Sequence, residues 1–202
     1  MSEAQTALFS YDDGRGAVDL AREAVDLFVN NGQRKQPGSM RDAFYNRAGV
    51  FIRLQATQGR GRLRGCAGTV QSTERVGHTI IEAAIQAAST DSCGSELEAA
   101  ELSSTAFSVC IVTDVIPTDD PAADLEVGTH GLAVQKGRQS GWLYPTVPVE
   151  NGWSEFEYLD RTCRKAGLSP TAWEKDDVDV LLFHSQVFEE RTPNGSIKEL
   201  TF

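Results

Sequence analysis

Gly49-Val50-Phe51-Ile52-Arg53-Leu54-Gln55, then Gln58-Gly59-Arg60-Gly61, then Arg62-Leu63-Arg64-Gly65-Cys66-Ala67-Gly68-Thr69-Val70 is the stretch on which the fold turns. The first run is a short strand rich in Val50, Phe51, Ile52 and Leu54. Four polar and glycine residues break it. The second run reads as another strand, or the approach to one. Two extended runs joined by so short a turn pair as an antiparallel hairpin, because a parallel pair needs a long crossover.

The flanks carry helices. Gly16 to Asn30 places Ala17, Ala21, Ala24, Val25 and Phe28 on one stripe, and Asn31-Gly32 supplies a stop. Gln33 to Ser39 reads as a loop. Val76 to Ala88 repeats Val76, Ile80, Ala84 and Ala87 at helical spacing in an alanine-rich setting. Thr105 to Thr113 alternates as a strand, with Phe107, Val109 and Ile111 on one face and Ser108, Cys110 and Val112 on the other. Gly131 to Lys136 and Trp142 to Tyr144 flank Gly137-Arg138-Gln139-Ser140-Gly141 as a second hairpin. Ser154 to Ala166 begins with a capping box, Ser154 with Glu157, and aligns Phe156, Leu159 and Cys163; Gly167 and Pro170 end it. Val178 to Val187 is a late strand, and Arg191 to Phe202 reads as a loosely packed, fraying end. Helices interleaved with hairpins give an α+β fold and argue against a doubly wound sheet.

The chain of 202 residues is long enough for one domain with a sizeable core. Its formal net charge of -10 repels phosphate backbones and anionic lipids, so no nucleic-acid partner is expected. The basic residues are mostly Arg and the acids are dispersed, the pattern of a salt-adapted microbe; the plainer reading is solubility. No run of about 18 apolar residues predicts a membrane span, and Met1-Ser2-Glu3-Ala4-Gln5 does not open a signal peptide, so a cytoplasmic protein is expected. Cys66, Cys93, Cys110 and Cys163 show no zinc spacing and are expected to be reduced, Cys110 and Cys163 as buried packing residues. The histidines His78, His130 and His184 are widely separated, and neither a metal site nor a cofactor is expected. His78 and His184 read as structural or solvent-facing.

Chemistry concentrates at Leu63-Arg64-Gly65-Cys66-Ala67-Gly68. Glycines within a strand mark a bulge or a close backbone approach. A guanidinium beside a thiol favours the thiolate, so Arg64 is the candidate activating cation for Cys66. The backbone N–H groups of Gly65 and Gly68 could cradle an oxyanion. The plain alternative is a packing cysteine in a strand, with Arg64 on its face only if no bulge intervenes. His130, between glycines, is a candidate acid/base. Glu150 beside Gly152-Trp153 is a candidate binding carboxylate, or a solvated loop charge. The Gln58 to Arg64 arginines could hold a phosphate, although a charge-balancing hairpin tip is the favoured reading.

The hexapeptide resembles the Leu-Arg-Gly-Cys-Ile-Gly signature of the AMMECR-one domain family, with Ala67 in place of Ile. The likeness continues through Val76 to Asp91 and Val127-Gly128-Thr129-His130-Gly131-Leu132. It then takes in Leu143-Tyr144-Pro145-Thr146-Val147, Glu150-Asn151-Gly152-Trp153, Arg164-Lys165-Ala166-Gly167-Leu168 and Trp173, covering roughly residues 16 to 190 in order. Ser92-Cys93-Gly94 departs from the family's Arg-Phe after the aspartate, and Thr146 replaces its Gln. The resemblance implies one domain of two unequal lobes, each an antiparallel sheet with helices. It also implies a cleft between them faced by the cysteine segment, with Leu63, Gly65, Ala67, Gly68, Asp91 and Glu150 as binding residues and Cys66, Arg64 and His130 as catalytic candidates. Implied partners are a Memo-like protein and a radical-SAM enzyme in a shared modification pathway. The functional expectation is an enzyme or enzyme subunit working through Cys66; the alternative is a non-catalytic adaptor that binds a peptide or partner protein.

Overall fold

The computed structural model describes residues 9–57, 62–89 and 96–200. The first helix, α1 (Tyr11–Asn31), starts five residues earlier than its apolar stripe suggested. Ser10 and Asp13 form a capping box there: the Ser10 hydroxyl accepts from the Asp13 N–H at 3.2 Å, and the Asp13 carboxylate accepts from the Ser10 N–H at 3.1 Å. Gly32 ends the helix in the left-handed conformation.

Strands β1 (Val50–Ala56) and β2 (Leu63–Thr69) pair antiparallel, as the two runs predicted. Helix α2 (Val76–Ser89) follows. A 3-10 turn at Ala99–Ser104 leads into β3 (Thr105–Pro117), which also pairs with β1. The short α3 (Pro121–Asp124) precedes β4 (Gly131–Lys136) and β5 (Gln139–Leu143). The β4–β5 hairpin turns through Gly137 and Arg138 alone, tighter than the five-residue loop read from sequence. Then come α4 (Thr146–Asn151) and α5 (Glu155–Lys165), with the Ser154–Glu157 capping box in place. Last are β6 (Asp179–Glu190) and β7 (Ile197–Leu200). The hydrogen-bonded order is β2-β1-β3-β6-β4-β5, with β7 beside β6.

The chain divides into two compact units: the described residues up to Val112 with those from Gln186 onward, and Thr113–Ser185. In the first, Ala17, Ala21 and Val25 of α1 and Ile80, Ala84 and Ala88 of α2 pack on one face of the strands. That face presents Val50, Ile52 and Leu54 of β1 and Phe107, Val109 and Ile111 of β3. Each large aliphatic side chain buried here contributes about 1.5–3 kcal/mol. The many alanines let the two helices lie close. The β3 alternation holds, but both faces are buried from Phe107 to Val112.

Two expectations are corrected. The late segment expected to pack loosely holds a strand: Ile197–Leu200 forms β7, with Val187↔Leu200 and Glu190↔Ile197 in register. Behind it Arg22 and Glu190, 8 % and 6 % exposed, form a bidentate ion pair at 2.7 and 2.5 Å. Arg22 also donates to the Thr105 carbonyl, and Glu190 accepts from the Phe107 N–H. The second correction is Phe156, which is 61 % exposed. The capping box sets the rotation of α5 so that Tyr158, Leu159, Thr162 and Cys163 turn inward. They pack with Leu132, Val134, Val180 and Leu182 in the core of the second unit.

Candidate functional site

Hairpin register decides what surrounds Cys66. Across β1 and β2 the partners run Phe51↔Gly68, Ile52↔Ala67, Arg53↔Cys66 and Leu54↔Gly65, then slip to Gln55↔Leu63. The slip leaves Arg64 as the extra residue of a bulge. Ile52, Leu54 and Ala67 belong to the helix-covered core, so Arg53 and Cys66 share the opposite face. Gly68 has φ +147°, and a Cβ there would lie 2.1 Å from the Val50 carbonyl oxygen. The glycine therefore marks a close backbone approach, one of the two meanings its sequence position allowed.

Arg64, the cation expected beside Cys66, has a described carboxylate partner of its own. It is 9 % exposed and grips Glu101 of the 3-10 turn through two hydrogen bonds of 2.7 Å. That grip holds the Glu101 carboxyl below the usual carboxylate range. The cation directly across from the thiol is Arg53, with cross-strand Cβ atoms about 4.5–5.5 Å apart in such pairs. On its other side Arg53 faces Ser108 of β3, so Cys66, Arg53 and Ser108 form one row across three strands. Arg53 Nη2 donates to Gln55 Oε1 at 3.3 Å and lies 3.9 Å from Glu189 Oε2. Glu189 in turn takes Lys198 Nζ at 2.8 Å. Ser108 is 5 % exposed, and its hydroxyl has no hydrogen-bond partner among the described residues. A buried hydroxyl left so costs about 1–3 kcal/mol.

Cys66 is half-buried, whereas Cys110 and Cys163 are buried, and none of the three is in a disulfide. Burial pushes the Cys163 thiol up, away from the reactive thiolate. Leu63 and Gly65 flank the bulge, while Ala67 faces the core. Asp91 and Cys93 lie outside the described residues, as does the Gln58 to Gly61 part of the basic segment.

His130 and Glu150 belong to the second unit. Glu150 is exposed on α4. His130 falls one residue before β4, opposite His184 by extension of the Gly131↔Phe183 register. Their rings stack with centroids 5.0 Å apart and planes within 10°. Sequence reading set His184 aside because pairing across β4 and β6 is invisible to local spacing. The Glu126 N–H donates to His130 Nδ1 at 3.1 Å, which leaves the ring proton on Nε2. Desolvation, then the neighbouring His184, lowers the His130 pKa, against the opposing pull of Glu126 and Asp124. Among the described residues no three His, Cys, Asp or Glu gather as a metal group. No helix among them is long and apolar enough to cross a membrane.

Comparison with known proteins adds the kinship. The AMMECR1 family model matches residues 18–188. A protein of Halobacterium salinarum is 55 % identical over 209 residues, covering 100 % of both chains. One from Methanopyrus kandleri is 33 % identical over 194 residues, covering 93 % of each. The crystal structure of an uncharacterized protein from Pyrococcus horikoshii superposes with a TM-score of 0.84 at 33 % identity, covering 94 % of this chain and 97 % of that one.

Proposed function

The chain belongs to the AMMECR1 family, and from that premise we propose that it is an enzyme or enzyme subunit whose working group is the Cys66 thiol, with Arg53 as its cation. The observation that carries this reading is the Arg53↔Cys66 register. A half-buried position leaves the sulfur open to a substrate, and Arg53 places a positive charge across the strand pair from it. His130, its ring proton on Nε2, is the candidate proton donor of the second unit. On this reading the partners are a Memo-like protein and a radical-SAM enzyme, and affinity capture of either by the intact chain tests that part.

Native-state alkylation by iodoacetamide, mapped by peptide mass spectrometry, tests the thiol. Cys66 is expected to react well before Cys110 and Cys163. Labelling of Cys66 only on unfolding would leave the non-catalytic adaptor, binding a peptide or partner protein, as the function.

A further inference from the structure

A cavity of about 470 Å³ opens in the first unit between the loop that follows α1 and the first half of α2. Thr69 at the end of β2, Ser72 in the connection that follows, and Thr79 of α2 bring hydroxyls to its wall. The protons of these hydroxyls are committed within the protein. Thr69 Oγ1 donates to the Gln71 carbonyl at 2.6 Å, and Thr79 Oγ1 donates to the Arg75 carbonyl at 3.2 Å. With the Thr79 proton so placed, Ser72 is the donor in the 3.0 Å contact between Ser72 Oγ and Thr79 Oγ1. Ser72 Oγ also accepts from the Glu74 N–H at 3.1 Å. A hydroxyl has one proton and two lone pairs, so each of these oxygens can still accept and has nothing left to donate. Thr79 is 7 % exposed, so little water reaches it.

The charges on the wall lean the same way. Its cations are engaged: Arg34 pairs with Glu82, and Lys35 Nζ lies 2.8 Å from Glu23 Oε2. Glu74 also lines the cavity, and its carboxylate accepts no hydrogen bond from the described residues. His78 Nδ1 comes within 3.7 Å of it, too far for one. The charge left to a ligand is therefore negative, and the hydroxyl oxygens around it are acceptors.

We propose that this cavity binds a primary alkylammonium group. Such a head brings a positive charge and N–H donors in several directions, which Glu74 and the Ser72 and Thr79 oxygens complement. Pro37 and Ile81 in the same wall give the alkyl chain an apolar surface. The volume is that of a small-ligand site. The acidic field of a chain of net charge -10 draws any cation toward it; the N–H acceptors are what would select a primary amine. The proposal does not depend on the Cys66 reading. The head can belong to a free amine or to a lysine side chain, and the probes below separate the two.

Two cations of equal charge and equal chain test this. The intact, isotope-labelled chain is titrated with n-butylamine and with butyltrimethylammonium at one ionic strength, and binding is read from the NMR amide shifts of Thr69, Ser72, Glu74 and Thr79. Non-specific attraction to the acidic surface cancels in the ratio of the two affinities, because only butylamine has N–H donors. Butylamine is expected to bind about tenfold more tightly. Glu74→Gln should weaken butylamine about tenfold, and Thr79→Val, which keeps the shape and removes the oxygen, about threefold. The Glu74 side chain is 70 % exposed, so Glu74→Gln is expected to leave the melting temperature unchanged. Thr79→Val gives up the bond to the Arg75 carbonyl, and its melting curve separates lost recognition from lost fold. Nα-acetyl-lysine methylamide carries the same head on a peptide unit: tighter binding than butylamine assigns the site to a lysine side chain, weaker binding to a free amine. Equal affinity for butylamine and its trimethyl analogue overturns the proposal. So does butylamine binding that Glu74→Gln leaves unchanged, or shifts scattered over the acidic surface instead of at the cavity.

Discussion

Gly68 shows how one residue holds the site. Its φ of +147° is unfavourable for any side chain, and a Cβ there meets the Val50 carbonyl oxygen at 2.1 Å. Gly68→Ala must therefore push β1 and β2 apart two residues from Cys66. The expected cost is about 2–3 kcal/mol, seen as a melting temperature lower by about 5–10 °C. An unchanged melting temperature would mean the strands have room that the register denies. His130 carries a pH dependence. Burial and His184 disfavour its imidazolium in the folded state, so the unfolded chain, near the ordinary value of 6.5, takes up the proton first. The stability from neutral His130 is whole above that value and is lost as pH falls through it toward the lower folded value. Protonation also forfeits the Glu126 N–H bond to Nδ1. Melting temperatures of wild type and His130→Gln should converge between about pH 7.5 and about pH 5.5. Parallel curves would contradict the stacked pair as drawn. Arg53 was within reach of the sequence. Folding the chain at the middle of Gln58-Gly59-Arg60-Gly61 sets Arg53 across from Cys66, whereas reading along one strand finds Arg64. Arg64 is the extra residue of a bulge and bonds to Glu101, in a turn far along the chain, and no local pattern announces either.

Among elements, local signals were read well where the cause is local. The Ser154–Glu157 box starts α5 where its chemistry said, and Gly32 and Gly167 stop helices in left-handed turns. The same reasoning places the start of α1 at Ser10–Asp13, a pairing overlooked because the apolar stripe begins later. β7 was not legible, since Ile197-Lys198-Glu199-Leu200 is short and half charged. What makes it a strand is β6 beside it and the buried Arg22–Glu190 pair that ties β6 to α1. Glu190→Gln keeps the shape of the side chain and leaves Arg22 buried without its counter-charge. Unfolding in urea should show a loss of about 3–5 kcal/mol. A loss below about 1 kcal/mol would mean that water reaches Arg22 and the tie is a surface contact.

At the scale of the molecule, the acidic excess and the pairing of Cys66 with Arg53 make separate predictions. Dispersed carboxylates repel one another, and salt screens that repulsion. Thermal melts from about 0.05 M to about 2 M NaCl should rise steadily, while a flat profile would leave the charge as a solubility feature only. The α+β class was legible in two hairpins and three helical stripes because both periodicities are strong. Cys66 was legible as a candidate thiol, whereas the residues across the strands from it are set by register rather than by neighbours in sequence. Under the proposed function Arg53, rather than Arg64, is the cation that serves the Cys66 thiol. The rate of native iodoacetamide alkylation at Cys66 near neutral pH, in the wild type, Arg53→Gln and Arg64→Gln, tests it most directly. About a tenfold slower reaction is expected in Arg53→Gln and, once the fraction unfolded is subtracted, an unchanged one in Arg64→Gln; slowing in Arg64→Gln with no change in Arg53→Gln would give the role to Arg64 instead.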